Sequence, residues 1–393
     1  MISAVLPTYN RAPLAFTKGQ GSWLEATDGR RYLDLGAGIA VNALGHCAPE
    51  LVAVLQEQGA KLWHVSNVYT IPEQERLAAL LCDQSFADTV FFTNSGTETA
   101  ELAIKMARKF HYENGQPERT AFLAFEGAFH GRSTGAIALA GSEKMVKGYG
   151  PLIEGFSQLP WGDLAALKAA VSDQTCAVII EPIQGEGGIR PAGHAFLREL
   201  RAICDATGTL LIFDEVQCGM GRTGKVFAHE LAGVTPDIMM VAKGIGGGFP
   251  LGAVLATEKA ARGMVAGTHG STYGGNPLGC AVGLKVIEII SAPEFLAEVS
   301  RKAGLFRQGL AALVAEHPEV YEGVQGEGLM MGVKAKAPVG ELVNAGYAAG
   351  VLTVSAGDNV LRLLPALNIP DEDIAEGLKR LGALAEGWKA EQA

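Results

Sequence analysis

The sequence predicts an α/β protein: a large domain built on a mostly parallel sheet covered by helices, followed by a smaller α+β domain. Three observations carry this. Short, almost continuously apolar strands such as "CAVIIEP" (176–182), "TLLIFDE" (209–215) and "DIMMVAK" (237–243) alternate with helical stretches, as strands buried on both faces do. That alternation gives way near residue 295 to helices interspersed with shorter strands. A chain of 393 residues is also longer than one simple core requires, which points to two domains.

In chain order, residues 21–35 read as a hairpin about the turn signal Asp28-Gly29. Helical periodicity covers 49–59 and 72–82. "DTVFFTN" (88–94) is a strand and 96–110 a helix. Residues 121–127 form a strand and 163–172 a helix. A helix at 193–207 separates the strands at 176–182 and 209–215, and "GAVLAT" (252–257) follows the strand at 237–243. Pro277 sits in the first turn of a long helix, 276–291. Beyond 295 come a helix, a strand at 330–334, a helix, strands at 351–354 and 359–364, and a final helix capped by Asp371. The expected division is an N-terminal segment, 1–45, packing with the small domain, a large domain over 46–294 and a small one over 295–393.

The 32 basic and 42 acidic residues give a net charge of -10, which argues against a general nucleic-acid or anionic-membrane surface. Six cysteines without a CxxC pair read as reduced thiols of a cytoplasmic enzyme. No N-terminal signal pattern or membrane-length apolar run is expected, and the eight scattered histidines form no metal motif.

Ligands of open α/β sheets bind at the carboxyl ends of the strands. Four strands deliver polar groups there: Ser95-Gly96-Thr97, Glu181, Asp214 and Lys243. Strand, Ser-Gly-Thr, helix is a phosphate cup by construction, since free N–H groups and the positive end of the helix dipole meet there; a plain N-cap is the competing reading. Asp214 follows four apolar residues, so its carboxylate needs a cation, a metal or a protonated heterocycle. The stretch 219–226 nearly matches a nucleotide P-loop, but Val226 replaces the Ser or Thr that holds magnesium. Lys243, expected two strands from Asp214, is followed by Gly244, Gly246, Gly247 and Gly248. A lysine there is either solvated or, in a dry pocket, a nucleophile toward carbonyls. Those glycines are expected to leave room for a flat ring. Lysine, aspartate and phosphate cup together are what pyridoxal phosphate requires.

The stretches "NSGTETAE", "FHGR", "EPIQGEGG", "DEVQ", "TPDIMMVAKGIGGGFPLGA" and "GSTYGGNPL" resemble, in order and over nearly the whole chain, the signatures of class III, ω-type aminotransferases of pyridoxal-phosphate fold type I. The resemblance implies a seven-stranded sheet in the cofactor-binding domain. It implies that Lys243 carries the cofactor as a Schiff base and shuttles the proton. Asp214 would hold the pyridine nitrogen protonated, Gln217 would bond the ring hydroxyl and Phe129 would stack on the ring. Ser95, Gly96 and Thr97 would grip the phosphate. Thr272 would reach the phosphate in the other subunit, making a homodimer with shared sites.

On the substrate side the resemblance implies that Arg132 holds the far carboxylate of an ω-amine donor, with Tyr9 and Ser271 nearby. Arg362 would take the α-carboxylate of 2-oxoglutarate, and Glu186 would cover that arginine until then. "PTYNRAPLAFTKGQGSWL" and "GIAVNALGH" most resemble the branch acting on N2-acetyl-L-ornithine in arginine biosynthesis, with ping-pong kinetics through pyridoxamine phosphate. Ile39 fits an acylated donor, since free-ornithine enzymes tend to carry tyrosine there. Succinylornithine, N-succinyl-diaminopimelate or another ω-amine are the alternative donors. A racemase or aminomutase on the same scaffold would have no use for two carboxylate anchors.

Overall fold

The computed structural model describes residues 2–392. Its centre is a seven-stranded sheet: β1 (Thr89–Thr93), β2 (Ala121–Phe125), β3 (Phe156–Leu159), β4 (Thr175–Ile180), β5 (Leu210–Asp214), β6 (Ile238–Val241) and β7 (Gly252–Ala256), in the order β1-β7-β6-β5-β4-β2-β3. Only β7 runs antiparallel to its neighbours. Every residue of β4, β5, β6 and β7 is buried. Successive residues point to opposite faces. Leu211, Phe213, Met239 and Val241 enter one apolar cluster, and Leu210, Ile212, Ile238 and Met240 enter the other. This is why the strands read as continuous apolar runs.

The expected hairpin forms, with Trp23–Ala26 against Arg31–Asp34. The strand Phe16–Gln20 adds to one side of it and Val351–Leu352 pairs in parallel with the other. A second antiparallel sheet orders Tyr321–Glu327, Met330–Ala335, Val360–Leu363 and Val354–Ala356. The helices Pro293–Glu316 and Asp371–Gln392 belong to this part of the chain. Asp371 is the first residue of its helix rather than a cap. Its carboxylate takes two hydrogen bonds from Arg301, at 2.7 and 3.0 Å, so the ion pair replaces the expected contact to the helix N–H groups.

Parallel pairing brings the carboxyl ends of β2, β4, β5 and β6 to one edge, and β1, antiparallel to β7, which is itself antiparallel to β6, ends there too. The antiparallel β7 brings its first residue there, Gly252 opposite Thr93. β5 and β6 are direct neighbours, with Asp214 opposite Met240. Asp214 and Lys243 are thus on adjacent strands rather than two strands apart. The chain leaves β6 at Val241, and Lys243 opens a single 3-10 turn, Lys243–Gly246, with φ 49°.

Candidate active site

A cavity of about 330 Å³ lies at this edge. Ser95, Gly96, Thr97, Phe129, Asp214, Gln217 and Lys243 all line it, with Val41, His130, Glu181 and Phe249 among the others. The 18-residue helix Gly96–Glu113 starts at its wall. Ser95 caps it, its hydroxyl accepting the N–H of Glu98 at 3.4 Å. The N–H groups of Gly96 and Thr97 lie in the first turn, where no intrahelical acceptor exists. A Cβ on Gly96 would stand 2.9 Å from the side chain of Val216. The lack of a side chain therefore serves packing against the Asp214 strand as well as access to the helix end.

Asp214 is buried and has a protein partner. Its Oδ2 lies 2.7 Å from Nδ1 of His130, and its Oδ1 accepts the N–H of Val216 at 3.0 Å. Burial on its own lowers the pKa of His130, but the hydrogen bond and charge of Asp214, with Glu181 beyond, outweigh it and raise it. Nε2 of His130 has no partner among the described residues. Beside it, Glu181 accepts the N–H of Phe129 at 3.0 Å and that of Gly185 at 3.1 Å. Burial, followed by the nearby Asp214 charge, pushes its carboxyl up to about 7. The Lys243 ammonium is disfavoured by burial above all, and its pKa falls below the usual lysine range despite the carboxylates of Asp214 and Glu186.

The glycines after Lys243 do not chiefly leave room for a ring. A Cβ on Gly244 would press on Met220, on Gly247 against Leu51 and on Gly248 against Asn42; Gly247 and Gly248 also have φ of 54° and 120°. They let the segment turn sharply and pack on the protein; of the four, only Gly248 lines the cavity.

The substrate-side residues divide. Arg132 is exposed, its guanidinium 5.3 Å over the Phe129 ring. Arg362 is 1% exposed. It donates to Glu186 at 2.5 Å, to Gln217 Oε1 at 3.1 Å and to the carbonyl of Ser355 at 3.4 Å. Gln217 therefore touches both the cavity and the arginine. Ser271 lies near the cavity rim, its Oγ 3.5 Å from Nδ2 of the lining residue Asn94. Tyr9 is 76% exposed and outside the cavity lining, as is the exposed Thr272. Ile39 falls in a run, Ala37 to Ala40, in which all four φ are positive. Such backbone costs about 1–2 kcal/mol per non-glycine residue, and it sets the following Val41 against the cavity.

A family model described as aminotransferase class-III matches residues 5–384. The chain belongs to the class-III aminotransferases. This aminotransferase is 70% identical, over 100% of both chains, to an acetylornithine aminotransferase of Rhodobacter capsulatus. It is 56% identical to one of Agrobacterium fabrum, over 98% of this chain and 97% of that one. Among solved structures, the N-acetylornithine aminotransferase of Stenotrophomonas maltophilia superposes with a TM-score of 0.86 at 39% identity, covering 98% of each chain. The fold is that of pyridoxal-phosphate fold type I, and the family depends on that cofactor.

Two further residues of the aminotransferase site are not marked by local sequence pattern. Glu181 stands at a strand end with no partner in view there, and His130 of "FHGR" lies 84 residues from the carboxylate it meets; the signal that points to it is the need of a carboxylate as buried as Asp214 for a cationic partner.

Proposed function

We infer that this aminotransferase moves the ω-amino group of N2-acetyl-L-ornithine to 2-oxoglutarate, giving N-acetyl-L-glutamate 5-semialdehyde and L-glutamate in arginine biosynthesis. One observation carries the mechanism: Lys243, Asp214 and the start of an 18-residue helix converge on one cavity.

The residues present fit pyridoxal phosphate. The helix start offers Gly96 and Thr97 N–H groups and the Ser95 and Thr97 hydroxyls to a phosphate. Phe129 and Gln217 stand along the walls. When bound, the cofactor supplies an electrophilic carbon for the donor amine and a ring that withdraws electrons from the adjacent C–H bond. Asp214, held by His130, offers a fixed negative charge to a protonated ring nitrogen. Lys243, its cationic form disfavoured by burial, serves as nucleophile and then carries the proton at Nζ. Arg132 receives the α-carboxylate of the donor. Arg362, released by Glu186, receives that of 2-oxoglutarate. Thr272 reaches the cofactor phosphate of a second subunit, which makes the working enzyme a homodimer. We place it in the cytoplasm, a reading supported by six cysteines that form no disulfide among the described residues; no helix of the described residues is long and apolar enough to cross a membrane. The division into a cofactor-binding domain over 46–294 and a smaller one over 295–393, with 1–45 on the latter, belongs to this reading.

The test is steady-state kcat/KM for N2-acetyl-, N2-succinyl- and free ornithine with 2-oxoglutarate, in the wild type and in Lys243→Ala. The acetylated donor is expected to lead, and the lysine variant to lose turnover and the cofactor's visible absorbance. A preference for the succinylated donor transfers the assignment to that substrate. Turnover retained without Lys243 overturns the mechanism.

A further inference from the structure

The loop carrying Thr272, "HGSTYGGN" (269–276), contains Gly270, Gly274 and Gly275 within eight residues. Left to itself such a segment has high backbone freedom, yet it is tied down at several points. Nδ2 of Asn67 donates to the carbonyl of Ser271 at 3.0 Å and to that of Gly274 at 2.9 Å. These carbonyls bracket Thr272 and Tyr273. The Ser271 hydroxyl closes the turn from inside by accepting the N–H of Gly274 at 2.8 Å. Nε2 of Gln74 donates to Asn67 Oδ1 at 2.8 Å and to the carbonyl of Gly275 at 3.2 Å. A Cβ on Gly275, at φ 79°, would overlap Gln74, and one on Gly274 would overlap the carbonyl of Phe92. Asn276 then caps the helix Pro277–Ile290, accepting the N–H of Gly279 at 2.8 Å.

The direction of these bonds matters. Both loop acceptors are carbonyl oxygens, so the NH2 side of the Asn67 amide and not its oxygen must face them, and the Gln74 bond to Oδ1 sets the amide the right way round. Asn67 is itself exposed in the isolated subunit. It contributes little to an apolar core, and its contacts are spent on the shape of the loop.

We propose that Asn67, oriented by Gln74, is a positioning residue for Thr272, fixing the loop so that the threonine hydroxyl meets the cofactor phosphate of the second subunit. This rests on the reading above that Thr272 crosses between subunits. Asn67 does not touch the cofactor; it shapes the turn that presents Thr272. Without it the loop keeps its ties through Ser271, Gln74 and Asn276 but loses both anchors that flank Thr272 and Tyr273, and the crossing contact forms only part of the time.

The test compares holoenzymes of the wild type, Asn67→Asp, Thr272→Ala and the double variant. Asn67→Asp keeps the size and turns an oxygen toward the two carbonyls. Release of pyridoxal phosphate on dilution is followed by absorbance, with light scattering for the dimer and a melting curve for the fold. Each single change is expected to speed release about tenfold, the scale of one hydrogen bond to a charged group. The double variant should release no faster than the faster single one, because both act through one contact. Dimer content and melting temperature should stay at the wild-type level. Wild-type release in Asn67→Asp, or multiplied effects in the double variant, overturns the proposal. If Thr272→Ala releases at the wild-type rate, the crossing itself is wrong and Asn67 falls with it. If Thr272→Ala is fast and Asn67→Asp is not, only the assignment of Asn67 fails. Should Asn67→Asp yield no folded dimer, Gln74→Met takes its place, with faster release expected and a wild-type rate as the refuting result.

Discussion

The two arginines proposed to read substrate carboxylates are held in opposite ways. Arg132 is exposed, lies over Phe129 and has no carboxylate partner among the described residues. Arg362 is buried and already holds Glu186, whose side chain is 38% exposed. Neither arginine lines the cavity itself, but each touches a residue that does, Phe129 for Arg132 and Gln217 for Arg362, and the difference between them suggests how one site can serve two substrates in turn. Arg132 is open to any carboxylate that arrives. On the proposed reading Arg362 exchanges one carboxylate for another, so an incoming α-carboxylate loses little and Glu186, already 38% exposed, turns to water. A donor that presents a neutral amide to this end leaves the Glu186 pair intact. Displacing Glu186 without a replacement charge leaves the buried guanidinium only Gln217 and the carbonyl of Ser355 as partners, which is unfavourable, though the partial exposure of Glu186 reduces the cost.

The largest effect is expected from Arg362→Ala. On this reading it removes the anchor of 2-oxoglutarate alone. The half-reaction with 2-oxoglutarate should slow in kcat/KM by roughly a hundred- to a thousandfold, the scale of a buried charge pair lost. The half-reaction with N2-acetylornithine should stay within a few-fold. Stopped-flow absorbance of each half-reaction measures both; equal losses in the two would erase the distinction between the arginines.

Arg132→Ala comes next. 2-Oxoglutarate is a dicarboxylate, and with one end on Arg362 the other reaches toward Arg132. This change should therefore weaken both half-reactions, each by about ten- to a hundredfold, less than at the buried site because solvent screens an exposed guanidinium. Loss confined to the N2-acetylornithine half-reaction would show that the far carboxylate of 2-oxoglutarate sits elsewhere.

Much of the fold that positions this site was legible in the sequence, and the reasons are physical. β4, β5 and β6 are buried on both faces, so their apolar runs stand out and their last residues mark the site. The strand Phe156–Leu159 ("FSQL") is exposed at Ser157 and carries only two apolar residues, so no run announced it. Tyr321–Glu327 ("YEGVQGE") has two glycines and two glutamates and reads as loop, yet it pairs along Met330–Ala335. The left-handed run from Ala37 to Ala40 was hidden because alanine and isoleucine give no sign of positive φ. A local side-chain contact holds its start: Oδ1 of Asp34 takes the N–H groups of Gly36 and Ala37, each at 2.9 Å. The pairing of Asp214 with His130 spans 84 residues, and no local pattern reports a contact of that length. The Arg362–Glu186 pair lies further apart still. It entered through family resemblance, and the structure supplies what the resemblance did not: Gln217 shares the arginine with Glu186.

Glu186→Ala is expected to have the smallest effect and bears most directly on the exchange argument. The change takes away the competing carboxylate but leaves Arg362 its bonds to Gln217 and to the carbonyl of Ser355. The guanidinium is then only partly satisfied, and an α-carboxylate no longer has to displace anything. Glutamate, which would bind through that carboxylate, should gain relative to N2-acetylornithine, with the ratio of half-reaction kcat/KM values rising about tenfold. A single charge-assisted hydrogen bond, about 1.5–3 kcal/mol, sets the upper bound on that rise, and the partial exposure of Glu186 keeps the effect below it. The melting temperature should fall slightly, because a buried cation loses its counter-charge. An unchanged ratio together with a lowered melting temperature would mean that Glu186 only neutralises Arg362 and does not choose between substrates.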